Sequence, residues 1–293
     1  MTDTWVCVKI YIMMRAEIIP TADATKAEIE EIMGLTAAYA SHYVVVQNDP
    51  DIERAESVRT ARAEHPITFV DLGHKASGKA EAIRRGIGVA LAVGNFDTFI
   101  QVDGHLKQNP AQIGLLLDAQ RRDGSDMAIC NRYADVELDE HRLALTQLFS
   151  RFAKLSTGLE LSDTVCGTRT YSRAIAEMIF KYSMSVGYGI ESEENDIVWQ
   201  SGGTISQVGV ESNEQASSTA APKLVDNAYL LCARTQGRFS ASQYTILQGF
   251  AYALPRFADY RIPGEDFDMP YDVQCTFVED GEDGEPSYEL HYV

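Results

Sequence analysis

The sequence predicts an α/β fold in which helices cover both faces of a mostly parallel sheet. Short apolar runs alternate with amphipathic segments from the N-terminus to Cys130, and this alternation is typical of βα units in a three-layer arrangement. The chain has 293 residues, of which 45% are hydrophobic. That is enough for one large core, or for one domain with a smaller appendage.

The first predicted elements are a strand, a helix and a second strand. The apolar residues 5–14 are interpreted as a buried strand. Thr25 and Glu28 have the spacing of a capping box, which predicts that a helix begins there. The run 42–47 has Tyr43 and three valines between His42 and Gln47, as in a strand that is buried on both faces.

The next predicted elements follow a turn at 48–51. A helix is predicted at about 52–64, a third strand at 67–70, and a helix after the loop 73–78. In the helix after the loop 73–78, the residues expected to face the core recur at helical spacing, which indicates one apolar stripe.

The last predicted units of the sheet surround a polar tripeptide. The apolar run 96–102 predicts a strand. Asn109 is a suitable cap for a helix over 110–122 that has Pro110 at its first position and Gly124 as a stop. A final strand is predicted at 127–130.

The charge and cysteine content narrow the classes of function. The formal net charge is −18 and the pI is about 4.7, so a nucleotide site needs a local metal ion or basic cluster, and extended nucleic-acid binding is disfavoured. The five cysteines are widely spaced without a C-x-x-C pair, which favours reduced thiols over disulfides or a zinc site. No apolar stretch predicts a membrane span and no signal peptide is expected, so the predicted location is cytoplasmic and soluble.

Asp103-Gly104-His105 directly follows the predicted strand 96–102. Ligands of open α/β sheets bind at the carboxyl ends of strands. Alternate residues of an extended segment point the same way, so Asp103 and His105 together form a suitable ligand pair for Mn²⁺ or a similar ion. The alternative is an Asx turn in which Asp103 bonds local backbone.

The sequence beyond residue 212 predicts an extension, 213–293. It contains a loop at 217–222, two helices at about 223–234 and 240–253, and a terminal β-hairpin with an acidic tip. This extension is expected to cover one side of the site or to form a contact between copies in a homo-oligomer.

A series of motifs follows in order along the chain: IIPT at 18–21, GKAEAIRRGI at 78–87, IQVDGHLKQNP at 100–110, NRY at 131–133, CGTRTYSR at 166–173, GYGIESE at 187–193 and the strand at 202–210. In this order they resemble the motifs of family-2 glycosyltransferases, nearest to the dolichol-phosphate mannose synthase-like branch. The resemblance covers roughly residues 17–212. It implies a GT-A fold and a catalytic domain over 1–212. The chain departs from the family pattern at His105, which replaces a second acid, and at 47–51, which replaces an acidic turn.

The resemblance implies roles for individual residues. Asp103 and His105 would hold a divalent metal ion, Mn²⁺ or Mg²⁺. Glu193 is the predicted general base, with Glu191 and Glu194 as rivals and Asp163 next in line. The residues predicted to bind the nucleotide-sugar donor are Pro20, Asn48, Asp49, Lys79, Asp103, Arg132 and Arg169.

Simpler structural interpretations stay open for three of these features. Lys79 could be an exposed lysine in the first turn of a helix. Arg169 could form a salt bridge with Asp163. The acidic run 191–194 could be a solvated helix start, since carboxylates are favourable there.

Three functions from different classes are compatible with the sequence. The favoured one is a metal-dependent inverting glycosyltransferase that uses a nucleoside-diphosphate sugar. The alternatives are a nucleotidyltransferase on a similar sheet and a catalytically silent relative that binds a sugar nucleotide. The predicted acceptor is unidentified: a small molecule, a protein, a modified nucleic-acid base or a polyprenyl phosphate.

Overall fold

The computed structural model describes most of the chain up to Val210 and one hairpin near its end. The described residues are 13–21, 24–47, 51–73, 78–104, 109–132, 150, 153–154, 158–185 and 189–210, with the backbone of 273–278 and 287–292. The chain divides into two compact units, Met1–Ala258 and Asp259–Val293. The predicted boundary at residue 212 stays a prediction, because residues 211–272 lie outside the described residues.

Strands and helices alternate along the first unit. The strands are β1 (Arg15–Thr21), β2 (His42–Gln47), β3 (Ile67–Asp71), β4 (Thr98–Gln101), β5 (Met127–Asn131), β6 (Arg169–Ser172) and β7 (Ile205–Gly209). The helices are α1 (Lys26–Thr36), α2 (Ile52–Val58), α3 (Gly78–Val93), α4 (Ile113–Asp123), α5 (Arg173–Tyr182) and α6 (Ile190–Gln200), and a short 3₁₀ turn, Pro110–Gln112, leads into α4.

These seven strands form one sheet in the order β3-β2-β1-β4-β6-β5-β7. β6 is antiparallel to both of its neighbours, and the other pairings are parallel. The predicted α/β sheet, mostly parallel, is therefore confirmed. Since β6 enters the sheet from the edge where β4 ends, with Arg169 opposite Gln101, the residues just before Arg169 lie beside the carboxyl end of β4.

Helices cover both faces of the sheet, which gives the predicted three layers. On one face α3, α5 and α6 pack over a core that includes Ile18, Phe99 and Tyr171. On the other face α1 packs over a core that includes Ile19 and Val45. β1 supplies both faces because successive strand residues point in opposite directions.

A glycine fixes how closely α3 approaches the sheet. A Cβ atom at Gly86 would lie 2.5 Å from Ile18 Cγ2 and 2.9 Å from Val46 Cγ2, well inside van der Waals contact. The helix therefore packs with its backbone against β1 and β2. This close packing sets the position of Lys79, which lies in the first turn of α3.

The predicted start of α1 is confirmed, but two other predicted boundaries are wrong. Thr25 and Glu28 form the capping box. β1 begins at Arg15, so Met13 and Met14 at the end of the predicted strand 5–14 are not part of a strand, and the rest of that predicted strand, residues 5–12, lies outside the described residues. α2 ends at Val58 rather than near residue 64.

The early end of α2 has a local cause. Thr60 donates both its backbone N–H (3.0 Å) and its hydroxyl (2.7 Å) to Ser57 O. A hydroxyl that satisfies one of the last carbonyls replaces the next helical hydrogen bond, so the chain turns instead of continuing.

The second unit contains the predicted hairpin. Its strands, β8 (Val273–Val278) and β9 (Ser287–Tyr292), are antiparallel. The predicted loop 217–222, the helices at 223–234 and 240–253 and the acidic tip lie outside the described residues. In the part of the chain that the structure describes, no helix has the length and apolar character needed to span a membrane.

Candidate active site

Three charged side chains meet at the carboxyl edge of the sheet. The Lys79 ammonium group lies 2.6 Å from Asp103 Oδ1 and 2.5 Å from Glu191 Oε1. Asp103 follows β4, Lys79 is the second residue of α3 and Glu191 lies in the first turn of α6. Three elements that are distant in sequence thus place a carboxylate–ammonium–carboxylate cluster where α/β sheets bind ligands.

The cluster is mostly shielded from solvent. The exposed fractions of the side chains are 18% for Lys79, 13% for Asp103 and 5% for Glu191. Burial by itself lowers the pKa of Lys79, but the two carboxylates outweigh it and raise the pKa above the ordinary lysine value. The ammonium group therefore stays charged throughout the physiological pH range, and the interpretation of Lys79 as an exposed lysine is wrong.

The turn before β6 is shaped around the Asp103 carboxylate. A Cβ atom at Gly167 would lie 2.4 Å and 2.5 Å from the two carboxylate oxygens of Asp103, so only glycine leaves room for them. Gln101 Nε2 donates to Gly167 O at 3.0 Å, which ties this turn to the end of β4. The glycine of the CGTR motif thus has a steric function beside Asp103.

Arg132 and Asp163 form a buried bidentate ion pair next to the turn that precedes β6. Arg132 Nε and Nη2 donate to the two carboxylate oxygens at 2.7 Å and 3.0 Å. The same carboxylate also accepts from the backbone N–H of Arg132 at 3.2 Å and of Val165 at 3.3 Å. Asp163 is 1% exposed, and these bonds give it a role in joining the end of β5 to the 163–168 turn.

Arg169 pairs with Glu194, and the interpretation of an Arg169–Asp163 salt bridge is wrong. Arg169 is fully buried, and its Nη1 lies 2.9 Å from Glu194 Oε2. The guanidinium group also donates to Cys166 O and Glu191 O. Arg169 therefore connects the turn beside Asp103 to the first turn of α6, where it helps to position Glu191.

Glu194 is buried together with the Arg169 guanidinium that it contacts. Burial raises its pKa to about 7, although the Arg169 guanidinium acts in the opposite direction. The group is fully buried, so it belongs to the core that supports the site.

Glu193, the predicted general base, accepts hydrogen bonds from the neighbouring residues 183–185. Its Oε2 accepts from Ser183 Oγ at 2.7 Å and from Ser185 N at 2.9 Å, and its Oε1 accepts from Met184 N at 2.7 Å. The side chain is fully buried. The interpretation of 191–194 as a solvated helix start is wrong, because all four residues are buried.

The structure brings together some of the predicted site residues. Asp103 and Lys79 are in contact, and Pro20 lies in β1 one residue before the carboxyl end of that strand. Asn48, Asp49 and His105 lie outside the described residues, so their predicted roles in donor and metal binding stay predictions. Glu191, which the sequence leaves as a rival of Glu193, is the carboxylate that joins the cluster.

The cluster fits a divalent metal ion. Asp103 and Glu191 already converge on one cation, and carboxylate oxygens are the ligands that Mg²⁺ and Mn²⁺ prefer. Among the described residues no group of three His, Cys, Asp or Glu side chains could hold a metal ion. A carboxylate together with substrate phosphates is nevertheless a usual ligand set for such ions.

The sheet order and its single antiparallel strand define a GT-A-like fold, and solved structures of that fold match this chain. Glucosyl-3-phosphoglycerate synthase from Mycobacterium tuberculosis, in complex with uridine diphosphate, matches with a TM-score of 0.56 and 16% identity over 76% of this chain and 80% of that chain. Mannosyl-3-phosphoglycerate synthase from Rubrobacter xylanophilus matches with a TM-score of 0.58 and 16% identity over 78% and 77% of the two chains.

A further structure of the Mycobacterium tuberculosis synthase contains Mn²⁺, UDP-glucose and glycerol 3-phosphate, and matches with a TM-score of 0.55 and 17% identity over 76% and 80% of the two chains. No protein-family profile matches the chain, and no curated protein matches it by sequence. At these identities the comparisons establish the shared GT-A fold, which confirms the predicted fold class.

Proposed function

We propose that this protein is a metal-dependent inverting glycosyltransferase that uses a nucleoside-diphosphate sugar. The observation that carries the proposal is the Asp103–Lys79–Glu191 cluster at the carboxyl edge of a GT-A sheet. Such a reaction needs positive charge for the leaving diphosphate and a carboxylate for the acceptor proton. The cluster contains both groups, since the Lys79 ammonium group lies 2.5 Å from the Glu191 carboxylate.

Each residue of the cluster has a distinct proposed role. Asp103 holds the divalent metal ion, with His105 as the second predicted ligand. When bound, the ion supplies Lewis-acid neutralisation of the diphosphate charge. Lys79 donates to the diphosphate oxygens, and its place at the start of α3 aims the ammonium group at the same edge of the sheet.

Glu191 is the proposed general base. Its side chain lies in the cluster, whereas the three hydrogen bonds from 183–185 hold Glu193 away from it. Glu191 would accept the proton of the acceptor hydroxyl during in-line attack on the sugar. The predicted catalytic roles of Glu193 and Asp163 are less well supported, because both carboxylates are committed to buried structural bonds.

The donor contacts proposed from sequence divide into two groups. Lys79, Pro20, Asn48 and Asp49 remain candidates for direct contact. Arg132 and Arg169 are held by Asp163 and Glu194, which supports a positioning role for both arginines.

The acceptor class and the finer family branch remain proposals. The Mycobacterium tuberculosis synthase has also been solved with phosphoglyceric acid, which makes a small phosphorylated acid the first acceptor to test. A polyprenyl phosphate, suggested by the dolichol-phosphate mannose synthase-like motifs, is the second. A cytoplasmic location and oligomer formation through the extension stay predictions.

A thermal-shift panel tests the donor and the metal together. UDP-, GDP- and dTDP-sugars are added with and without Mn²⁺, and one of them is expected to raise the melting temperature, because a ligand of the folded state stabilises it. Asp103→Asn should fold and lose the Mn²⁺-dependent part of the shift. A full Mn²⁺-dependent shift in Asp103→Asn would contradict the metal assignment.

The product of slow donor breakdown separates the alternatives. A glycosyltransferase releases nucleoside diphosphate, a nucleotidyltransferase releases pyrophosphate, and a catalytically silent relative binds the donor without releasing either.

A further inference from the structure

In this structure the Lys79 ammonium group lies where a cation between Asp103 and Glu191 would lie. Its Nζ contacts one oxygen of each carboxylate at 2.6 Å and 2.5 Å, so the two oxygens are at most about 5 Å apart. A divalent ion that binds Asp103 in this state meets an ammonium group already in contact with the carboxylate. Lysine and metal ion therefore compete for the same oxygen.

The Asp103 oxygen that contacts Lys79 becomes accessible to an ion only when the Lys79 side chain moves, because the ammonium group already lies in contact with it and the cluster is largely shielded from water. A diphosphate offers the ammonium group oxygen acceptors of the same charge type, so it can draw Lys79 away from Asp103.

We propose that Lys79 is a built-in counter-ion that keeps the Asp103 site closed to divalent metal ions until a nucleoside diphosphate binds. The metal ion and the nucleotide then bind with positive cooperativity, since the nucleotide takes over the ammonium group and exposes the Asp103 oxygen that this group contacts. The proposal rests on the proposed function for the identity of the nucleotide. It assigns to Lys79 a second role beyond phosphate binding, namely control over when the metal site forms.

Thermodynamic linkage makes the proposal measurable without turnover. If uridine diphosphate raises the affinity for Mn²⁺ by some factor, Mn²⁺ must raise the affinity for uridine diphosphate by the same factor. In the wild-type protein we expect this factor to be at least about tenfold. Isothermal titration with Mn²⁺ alone, uridine diphosphate alone and both together measures it, and guanosine diphosphate replaces uridine diphosphate if the donor panel selects it.

Lys79→Met is the central variant. Removal of the ammonium group leaves Asp103 and Glu191 without their shared cation, so the variant should bind Mn²⁺ alone at least about tenfold more tightly than the wild type. The same variant should bind the nucleotide more weakly, and the cooperativity factor should fall to the part that direct ligation of the ion by the diphosphate contributes. Lys79→Arg keeps the positive charge and should retain weak binding of Mn²⁺ alone.

Two controls fix the site of the gained metal affinity. Lys26→Met also removes a lysine that contacts a carboxylate, Glu30 at 3.8 Å on the surface, and should leave Mn²⁺ binding unchanged. In Lys79→Met/Asp103→Asn the gained affinity should disappear. Circular dichroism confirms that each variant is folded before titration.

The outcomes separate this proposal from the proposed function. Equal or weaker Mn²⁺ binding by folded Lys79→Met overturns the counter-ion role, whatever the donor panel shows. If Lys79→Met does not fold, the wild-type titrations decide, and a cooperativity factor near one overturns the proposal. If Lys79→Met gains Mn²⁺ affinity through Asp103 while no nucleotide binds the wild type, the counter-ion role stands and the proposed glycosyltransferase function fails.

Discussion

Glu191 and Glu193 are two residues apart on α6, but their surroundings predict opposite effects of substitution. Glu191→Gln should lower transfer about 10²- to 10⁴-fold, the usual contribution of a positioned general base, and leave the fold intact. Glu193→Gln should lower the free energy of unfolding by about 1–3 kcal/mol, because an amide offers one oxygen where the carboxylate accepts from 183–185 with two. Steady-state kinetics and urea denaturation of both variants measure these effects.

The pair serves as its own control. Each substitution replaces a buried carboxylate of α6 by the isosteric amide, so a general loss of charge would affect both equally. Loss of transfer in Glu193→Gln with normal stability, together with an active Glu191→Gln, would contradict the assignment and restore the original sequence-based prediction.

At the residue scale the sequence could place Asp103 at the edge of the sheet but could not tell which glutamate contacts Lys79. A carboxylate directly after an apolar strand lies at the edge of the sheet where that strand ends. In a helix with 3.6 residues per turn, positions two apart lie on nearly opposite sides, and which side faces the site depends on how the helix is rotated by its packing. Here Arg169, which donates to Glu191 O and pairs with Glu194, contributes to that rotation, and the sequence contains no local signal for these contacts.

The packing of α3 gives a prediction at the scale of elements. Gly86→Ala places a Cβ atom 2.5 Å from Ile18 Cγ2, so α3 must move away from the sheet. We expect a loss of about 1–3 kcal/mol in the free energy of unfolding, typical of an overpacked core, and weaker donor binding because Lys79 moves with the helix. Urea denaturation and donor titration measure the two effects.

Gly34→Ala is the matched control for this helix substitution. Gly34 lies within α1, and a Cβ atom there would meet no atom within 4 Å. The variant should be more stable by about 0.5–1 kcal/mol, because alanine favours a helix more than glycine does. If Gly86→Ala were stabilised to the same extent, the close contact with β1 would not constrain α3.

Local patterns predicted most elements of the sheet, and the exceptions have a physical reason. The capping box at Thr25 and the valine-rich run 42–47 act within a few residues, so their elements are observed as predicted. The sequence pattern did not predict β6, because its four residues, Arg169–Ser172, include two buried polar side chains, Arg169 and Thr170. Its burial depends on partners that are remote in sequence, such as Glu194, which no local window contains.

At the scale of the whole molecule, the net negative charge of the chain and the ion pairs within the site both oppose the binding of a nucleotide. The net charge is −18, and such a field repels polyphosphates. In the described part of the site, Lys79, Arg132 and Arg169 each contact at least one carboxylate, so their charges are neutralised before the nucleotide arrives. A nucleotide therefore needs the ammonium group of Lys79 and the metal ion together, which agrees with cooperative binding.

The stability of the whole protein should decrease as the pH rises from about 4.5 to about 8. Glu17 of β1 is fully buried, and burial raises its pKa to about 8 although a hydrogen bond with the Thr36 side chain acts in the opposite direction. Because the folded state keeps the proton and the unfolded state releases it above about pH 4.5, the stabilisation is complete below that pH and is lost as the pH passes through about 8. Glu194, with a pKa of about 7, contributes with the same sign over a narrower range.

Glu17→Gln tests this dependence. The amide does not titrate, so urea denaturation at pH 5, 7 and 8.5 should show a flatter profile, with the variant gaining up to roughly 4 kcal/mol over the wild type between the two extremes. Glu30→Gln on the surface of α1 is the control and should follow the wild-type profile, because exposed ion pairs contribute little. The part of the slope that remains in Glu17→Gln is assigned to Glu194 and to self-repulsion of the acidic chain. A profile of Glu17→Gln as steep as that of the wild type would show that Glu17 is ionised in the folded protein, and its burial inside β1 would then need a cation or water partner.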